Sequence, residues 1–156
     1  MELDRIDRKI LATLMADAAT PLARLADQVG LSQTPCWKRV RKLQDAGIIR
    51  GRVALVDPER LGLGLTVFAE VSAPEQSADW QARFAEVIAD IPEVMEAHQL
   101  AGSHDYALRI VVRDMGGFER IRSRITEAIP VRGLSASFAL KRIKSETVLP
   151  IDTRSA

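Results

Sequence analysis

A chain of 156 residues, 47% of them hydrophobic, is long enough to bury a core, and this composition excludes an intrinsically disordered protein. The single cysteine, Cys36, excludes an intramolecular disulfide, and no apolar run approaches the roughly 20 residues of a membrane span, so we expect a cytoplasmic protein. With only two histidines, His98 and His104, beside that cysteine, the chain is poorly supplied for structural zinc, and we expect neither a metal nor a cofactor.

The net charge of +1 hides an asymmetry along the chain. Residues 1–52 hold 10 Lys and Arg against 6 Asp and Glu, whereas residues 53–156 hold 12 against 15. The first part therefore carries +4 and the second −3. This division is typical of a polyanion-binding module joined to a regulatory or assembly module, although ordinary scatter also produces a difference of this size.

Three helices are predicted at the start of the chain. Apolar residues recur at helical spacing over residues 3–14, and a Thr-Pro pair opens a second helix that ends at Gly30. Ser32 is the expected N-cap of a third helix that runs to about Ala46. Short helices separated by a tight turn with a glycine are the pattern of a helix-turn-helix.

The third predicted helix carries the residues that favour DNA binding. Val40 and Leu43 face the predicted core. The cations around its exposed side are Lys38, Arg39, Arg41 and Lys42. Because this element of a helix-turn-helix lies in the major groove, we interpret the basic side as a DNA-binding surface rather than as solvated charge. Ser32, Gln33 and Thr34 at the helix start can bond to phosphates or to base edges, and the sequence does not sort these contacts.

Residues 48–56 are β-prone and predict a strand that leaves the DNA-binding unit. Asp57-Pro58 breaks the run, and two glycines follow in a short connector. We therefore expect a helix-turn-helix domain over residues 1–57, a linker over residues 58–64 and a second domain over residues 65–156.

The second domain is predicted to have the order βαββαβ. Strands are expected over residues 65–73, 94–101, 106–112 and 134–143, and helices over residues 77–91 and 118–129. This order is the ferredoxin-like α+β arrangement, in which two helices cover one face of a four-stranded antiparallel sheet. Several large apolar residues exceed what two small helices can cover, so we expect self-association. They are Phe68, Leu108, Ile110, Phe138 and Leu140.

Three further side chains are interpreted as packing residues. Trp37 and Trp80 are expected to anchor the helices that carry them. Cys36 is expected to be a small core residue, with redox sensing as the alternative.

Three segments in order resemble the leucine-responsive/asparagine-responsive (Lrp/AsnC) regulator family and together span nearly the whole chain. They are Leu3-Asp4-Arg5-Ile6-Asp7-Arg8-Lys9-Ile10-Leu11, Gly30-Leu31-Ser32-Gln33-Thr34-Pro35-Cys36 with Lys38-Arg39-Val40-Arg41-Lys42-Leu43, and Gly102-Ser103-His104-Asp105-Tyr106. The resemblance implies a winged-type helix-turn-helix joined to an effector-binding and oligomerisation domain. It also implies dimers that assemble into octamers or similar rings, and control by amino acids. The family often has an acidic residue where Ser103 stands, and threonines in its last strand where this chain has Ser135 and Ser137.

The resemblance also implies roles for particular residues. It places DNA contacts at Ser32, Gln33, Thr34, Lys38, Arg39, Arg41 and Lys42, and an effector pocket between subunits at Gly102, Ser103, His104, Asp105 and Tyr106. Small residues let backbone N–H groups approach a ligand carboxylate, while Asp105 pairs with its ammonium group and Tyr106 packs nearby. Alternatively, the glycine and serine make a tight hairpin that Asp105 stabilises.

We therefore predict a sequence-specific transcription regulator that binds double-stranded DNA and itself, and whose assembly or DNA affinity responds to a small molecule, expected to be an amino acid. An enzyme is the rival from another class, because some tetrapyrrole-modifying decarboxylases look similar to this family. His98, His104 and Arg109 would then be catalytic, but an enzyme has no need of the basic third helix. An architectural DNA-wrapping protein would differ only in the turn over residues 102–106.

Overall fold

The computed structural model describes residues 2–154, which form two compact units. Within the described residues, the first unit runs to Leu55 and resumes at Ile143, and the second unit is Val56–Arg142. Residues 143–154 therefore group with the first unit rather than with the sheet that precedes them. No helix within residues 2–154 is long and apolar enough to cross a bilayer.

The first unit is built on the three predicted helices, which are confirmed. They are α1 (Arg5–Ala16), α2 (Leu22–Val29) and α3 (Gln33–Asp45). Helix α1 begins with a reciprocal cap, in which the Asp4 carboxylate accepts the N–H of Asp7 at 2.8 Å and the Asp7 carboxylate accepts the N–H of Asp4. Helix α2 ends at Gly30, whose φ of 73° is the left-handed conformation that glycine adopts without strain. The turn that follows sets the start of α3.

The strand predicted over residues 48–56 is wrong. Within the described residues this stretch belongs to no strand, and Val53, Leu55 and Val56 are largely exposed. β-Prone residues form a strand only where a neighbouring chain completes their backbone hydrogen bonds, and no described segment of this protomer does so.

The second unit has the predicted order βαββαβ, which is confirmed. Its elements are β1 (Leu65–Ser72), α4 (Ala78–Ala89), β2 (Val94–Gln99), β3 (Tyr106–Val112), α5 (Met115–Ala128) and β4 (Gly133–Phe138), preceded by a 3-10 turn at Glu59–Leu61. The strands form one antiparallel sheet in the order β2-β3-β1-β4, which is the ferredoxin-like topology. The last strand ends at Phe138 rather than near residue 143.

Alternation along the strands decides which apolar residues the helices cover. Leu108 and Ile110 are buried in the core that α4 and α5 close, so the expectation that they need a partner is wrong. Phe138 packs edge-on against Phe118 with ring centroids 5.5 Å apart. Phe68 lies on central strand β1 beside buried neighbours and is 49% exposed, because its side chain points to the face opposite the helices. We call this uncovered side the open sheet face.

Candidate nucleic-acid interface and effector site

Helix α3 separates its core residues from its cations. Cys36, Val40 and Leu43 are buried against α1 and α2. With a period of 3.6 residues, side chains about half a turn away from this stripe face solvent. The exposed residues there are Thr34, Lys38, Arg41, Lys42 and Asp45, three of them cations and one an anion. We call this surface the cationic side of α3.

The residues at the helix start are also accessible. Ser32 occupies the N-cap position, but its hydroxyl makes no cap hydrogen bond, and both Ser32 and Gln33 are exposed. A hydroxyl that is not used for capping can donate to a phosphate or a base edge. This end of α3 therefore presents neutral donors and acceptors beside the cations.

Arg39 differs from the other predicted contacts. Its Nη1 donates to Asp4 Oδ2 at 2.6 Å and to Asp7 Oδ1 at 2.8 Å, and Asp7 is only 3% exposed. The pKa of the Asp4 carboxyl is lowered, first by the N–H of Asp7 and then by Arg39, and the two carboxylates raise the pKa of Arg39. Arg39 thus joins α3 to the start of α1. Its assignment as a DNA contact stays a prediction.

The other α3 cations are not held in this way. Arg41 pairs with Asp45 at 3.2 Å, but both side chains are well exposed, and a surface pair of this kind contributes little stability. Within residues 2–154, no ion pair involves Lys38 or Lys42. These three charges are therefore available to a polyanion.

The two tryptophans have different environments. Trp80 is buried, stacks on Phe84 with centroids 4.9 Å apart and donates its indole N–H to Pro130 O at 2.8 Å, which confirms it as an anchor. Trp37 is 53% exposed, so the anchor interpretation is wrong for this residue. It directly follows buried Cys36, and one residue of helix turns a side chain by about 100° away from the core. The position of Trp37 one residue after the buried stripe of α3 is therefore the sequence signal that indicates its exposure.

Cys36 is a buried core residue, in agreement with the packing interpretation. Burial raises the pKa of its thiol, which keeps the sulfur protonated and less reactive than a thiolate.

In the candidate effector turn, Asp105 makes hydrogen bonds within the chain through both its carboxylate and its backbone N–H. Its carboxylate accepts the N–H of Ala73 at 2.8 Å and the side-chain amide of Gln76, and its N–H donates to Val71 O at 3.1 Å. These bonds tie the β2–β3 turn to the connection between β1 and α4. The geometry agrees with the alternative in which Asp105 stabilises the turn.

A polar cluster lies beside this turn on the open sheet face. The His104 Nδ1 atom is 3.2 Å from both Ser103 Oγ and Glu70 Oε2, and Ser135 Oγ donates weakly to Glu70 at 3.4 Å. Sequence reasoning missed Glu70, because only the pairing of β1 with β3 and β4 brings it to the turn. Within the described chain, the backbone N–H groups of Gly102, Ser103 and His104 have no hydrogen-bond acceptor.

Tyr106 lies at the other end of the candidate set and faces the core. Its ring packs on Phe84 and Trp80, with centroids 4.6 and 5.6 Å away. Burial, and to a lesser degree the charge of Asp105, raises the pKa of the phenol. The turn therefore does not bring the Tyr106 ring beside His104 and Ser103.

The residues of the enzyme alternative form two separate polar groups. His98 and Arg109 share Glu96, at 3.5 and 2.7 Å, and Arg109 is the first cause of the lowered pKa of that carboxyl. His104 pairs instead with Glu70. Among residues 2–154, no cluster of three His, Cys, Asp or Glu side chains could hold a metal ion.

Comparison with known proteins gives consistent matches over both units. The family model described as the Lrp/AsnC ligand binding domain matches residues 66–149, and a model described as winged helix-turn-helix DNA-binding matches residues 3–50. The DNA-binding transcriptional activator DecR of Escherichia coli K12 is 43% identical, over 96% of this chain and 99% of its own length.

Solved structures agree with these matches. An AsnC family transcriptional regulator from Agrobacterium tumefaciens has a TM-score of 0.90 at 42% identity, covering 95% of this chain and 97% of that one. A transcriptional regulator from Neisseria meningitidis in complex with L-Met has a TM-score of 0.89 at 36% identity, covering 96% and 97%.

Proposed function

The chain belongs to the Lrp/AsnC family of DNA-binding transcription regulators. From this premise we propose that the cationic side of α3 binds double-stranded DNA. We also propose that an amino acid bound by the second unit changes the assembly of the protein or its affinity for DNA. In functional terms, residues 1–57 would form the DNA-binding domain, residues 58–64 the linker and residues 65–156 the effector-binding and oligomerisation domain.

The observation that carries the DNA-binding proposal is the exposure of Lys38, Arg41 and Lys42 on one side of α3, away from its core residues. Phosphate contacts by such cations release counterions and supply sequence-independent affinity, whereas base-edge contacts supply specificity. Ser32, Gln33 and Thr34 at the helix start are proposed as further contacts. Arg39 is proposed to hold α3 in place through Asp4 and Asp7, in addition to its predicted DNA contact.

We propose that the open sheet face contacts a second copy of the chain, and that dimers assemble further into an octamer or a similar ring. Support comes from Phe68, a large apolar side chain half exposed at the middle of the sheet. Isologous packing of two such faces would bury it. A dimer would present two α3 helices to half-sites separated by multiples of about 34 Å along the duplex.

We propose that the turn at Gly102, Ser103 and His104 receives the effector, through backbone N–H groups that bond its carboxylate. Glu70 is the proposed partner for the ammonium group, because it is exposed and both of its contacts, with His104 and Ser135, are longer than 3 Å. Asp105 instead accepts short hydrogen bonds from the N–H of Ala73 and the side chain of Gln76. Asp105 and Tyr106 would then support the turn, Asp105 through its hydrogen bonds and Tyr106 through its packing in the core. The L-Met complex of the Neisseria meningitidis relative supports an amino acid as the chemical class.

Footprinting tests the proposed function directly. The protein would be applied to the DNA upstream of its own and neighbouring genes, with and without a panel of amino acids. We expect protected half-sites whose occupancy or extent changes with at least one amino acid. Protection that no amino acid alters would support an architectural protein instead, and turnover of a haem precursor by a protein that ignores DNA would support the enzyme.

A further inference from the structure

Trp37 is a large side chain of α3 that has no part in the proposed function. Trp80 has a satisfied indole N–H and two aromatic neighbours, whereas within the described chain the Trp37 indole N–H has no acceptor and its ring no aromatic partner. More than half of the Trp37 side chain faces solvent. An exposed indole with an unused N–H is available for a contact outside the unit, with both an apolar ring face and a hydrogen-bond donor to offer.

The position of Trp37 identifies the kind of contact. Gln33, Trp37 and Arg41 are four residues apart and lie along one stripe of α3, at the edge of its cationic side. Trp37 also forms a wall of a groove of about 380 Å³ in the first unit. The other residues that line this groove are Thr20, Leu22, Leu25, Val40, Gln44 and Arg52.

The chemistry of these neighbours favours a polyanion over a protein partner. Arg52 lines the groove together with Trp37, and no carboxylate is among the lining residues. Arg41 lies one helical turn after Trp37 and is well exposed. A partner helix that docks on an apolar patch would have to desolvate these charges, whereas a phosphate backbone would neutralise them.

We propose that Trp37 contacts DNA directly, its indole N–H donating to a backbone phosphate and its ring packing on the adjoining sugar. This inference rests on the proposed binding of DNA by α3 and adds a neutral contact at the edge of the cationic side. Because the contact carries no charge, it would add affinity without adding to the salt dependence.

Tryptophan fluorescence offers the test, because the buried Trp80 and the exposed Trp37 respond differently to a neutral quencher such as acrylamide. The full chain would be titrated with a mixed-sequence duplex of about 40 base pairs, long enough for two half-sites a few helical turns apart, at about 50 mM salt. The variant Trp37→Phe serves as the matched control, since it removes one emitter at an exposed position.

We expect duplex DNA to reduce acrylamide quenching of the wild-type protein and to leave that of Trp37→Phe unchanged. We also expect Trp37→Ala to weaken duplex binding about tenfold and Trp37→Phe about threefold, with unchanged log–log salt slopes.

Two results would overturn the inference while leaving the proposed function standing. One is undiminished quenching of Trp37 at duplex concentrations that saturate binding in a mobility-shift assay. The other is unchanged affinity of a folded Trp37→Ala protein. A wild-type protein that binds no duplex at this salt concentration would overturn both proposals.

Discussion

At the scale of single residues, Arg39 shows how one side chain on the proposed DNA-binding helix can serve the fold. Its guanidinium lies within 2.8 Å of a carboxylate of Asp7, which is almost fully buried. A buried carboxylate that loses its cation retains an uncompensated charge. The sequence displays the cation but not its partners, because Asp4 and Asp7 lie more than 30 residues away along the chain.

We predict that Arg39→Met lowers the free energy of unfolding by about 1 to 3 kcal/mol, and that adding Asp7→Asn recovers part of the loss because the unpaired charge is gone. Urea unfolding of the two single variants and the double variant measures this coupling. An Arg39→Met protein as stable as the wild type would show that the ion pair does not hold α3 against α1.

Glu70 and Asp105 are both carboxylates near the effector turn, but they differ in what they already bind. We predict that Glu70→Gln weakens amino-acid binding about tenfold, because a neutral amide oxygen replaces the carboxylate that pairs with the ammonium group. Isothermal calorimetry with an amino-acid panel measures it, and Glu86→Gln, the same change at an exposed position of α4, is the control. Full-strength binding by Glu70→Gln would remove this residue from the site.

At the scale of elements, the start of α1 depends on an ionised cap. The folded pKa of Asp4 is lowered, so the group stabilises the fold above its unfolded pKa of about 3.9, and this contribution is lost as pH falls through the folded pKa. Asn retains the capping oxygen but not the charge. We predict that the stability difference between wild type and Asp4→Asn shrinks between about pH 6 and about pH 3.

Urea unfolding at the two pH values measures that difference. Comparing the two proteins cancels the contribution of Glu96, whose pKa is lowered as well but which is present in both. A stability difference that stays constant across this range would mean that the Asp4 charge contributes nothing to the cap.

Most of the elements could be predicted because their signals are local. Helical spacing and capping residues mark α1 to α3, and strand alternation with prolines marks the second unit. The strand expected over residues 48–56 failed because a strand also needs a partner, which lies outside the sequence pattern. For the same reason Leu108 could not be assigned to a sheet face before the register was known.

The candidate sites were predictable to different degrees. The exposed positions of α3 follow from its periodicity, so the exposure of Lys38 and Lys42 is predictable from the sequence, while their contact with DNA stays a prediction. The Glu70–His104 pair depends on strand pairing across more than 30 residues, and the hydrogen bond from the N–H of Ala73 to the Asp105 carboxylate depends on a loop conformation. Neither leaves a local signal in the sequence.

At the scale of the whole molecule, the open sheet face is the surface on which assembly should depend. We predict that Phe68→Asp shifts the protein toward monomers, because a charge at the middle of an apolar contact opposes its burial. Met115→Asp is the control, since Met115 is equally exposed at 49% but begins α5, where an acidic residue is favoured. Analytical ultracentrifugation gives both masses, and an unchanged mass for Phe68→Asp would place the interface elsewhere.

The central claim is that the cationic side of α3 lies against the DNA phosphates, and the salt dependence of binding tests it most directly. For the double variant Lys38→Ala/Lys42→Ala we predict a log–log salt slope shallower by about 1.8, about 0.9 for each phosphate that is no longer neutralised. The exposed pair Lys141→Ala/Lys144→Ala should leave the slope at the wild-type value. An unchanged slope for the α3 variant, in a protein that still folds, would contradict this claim.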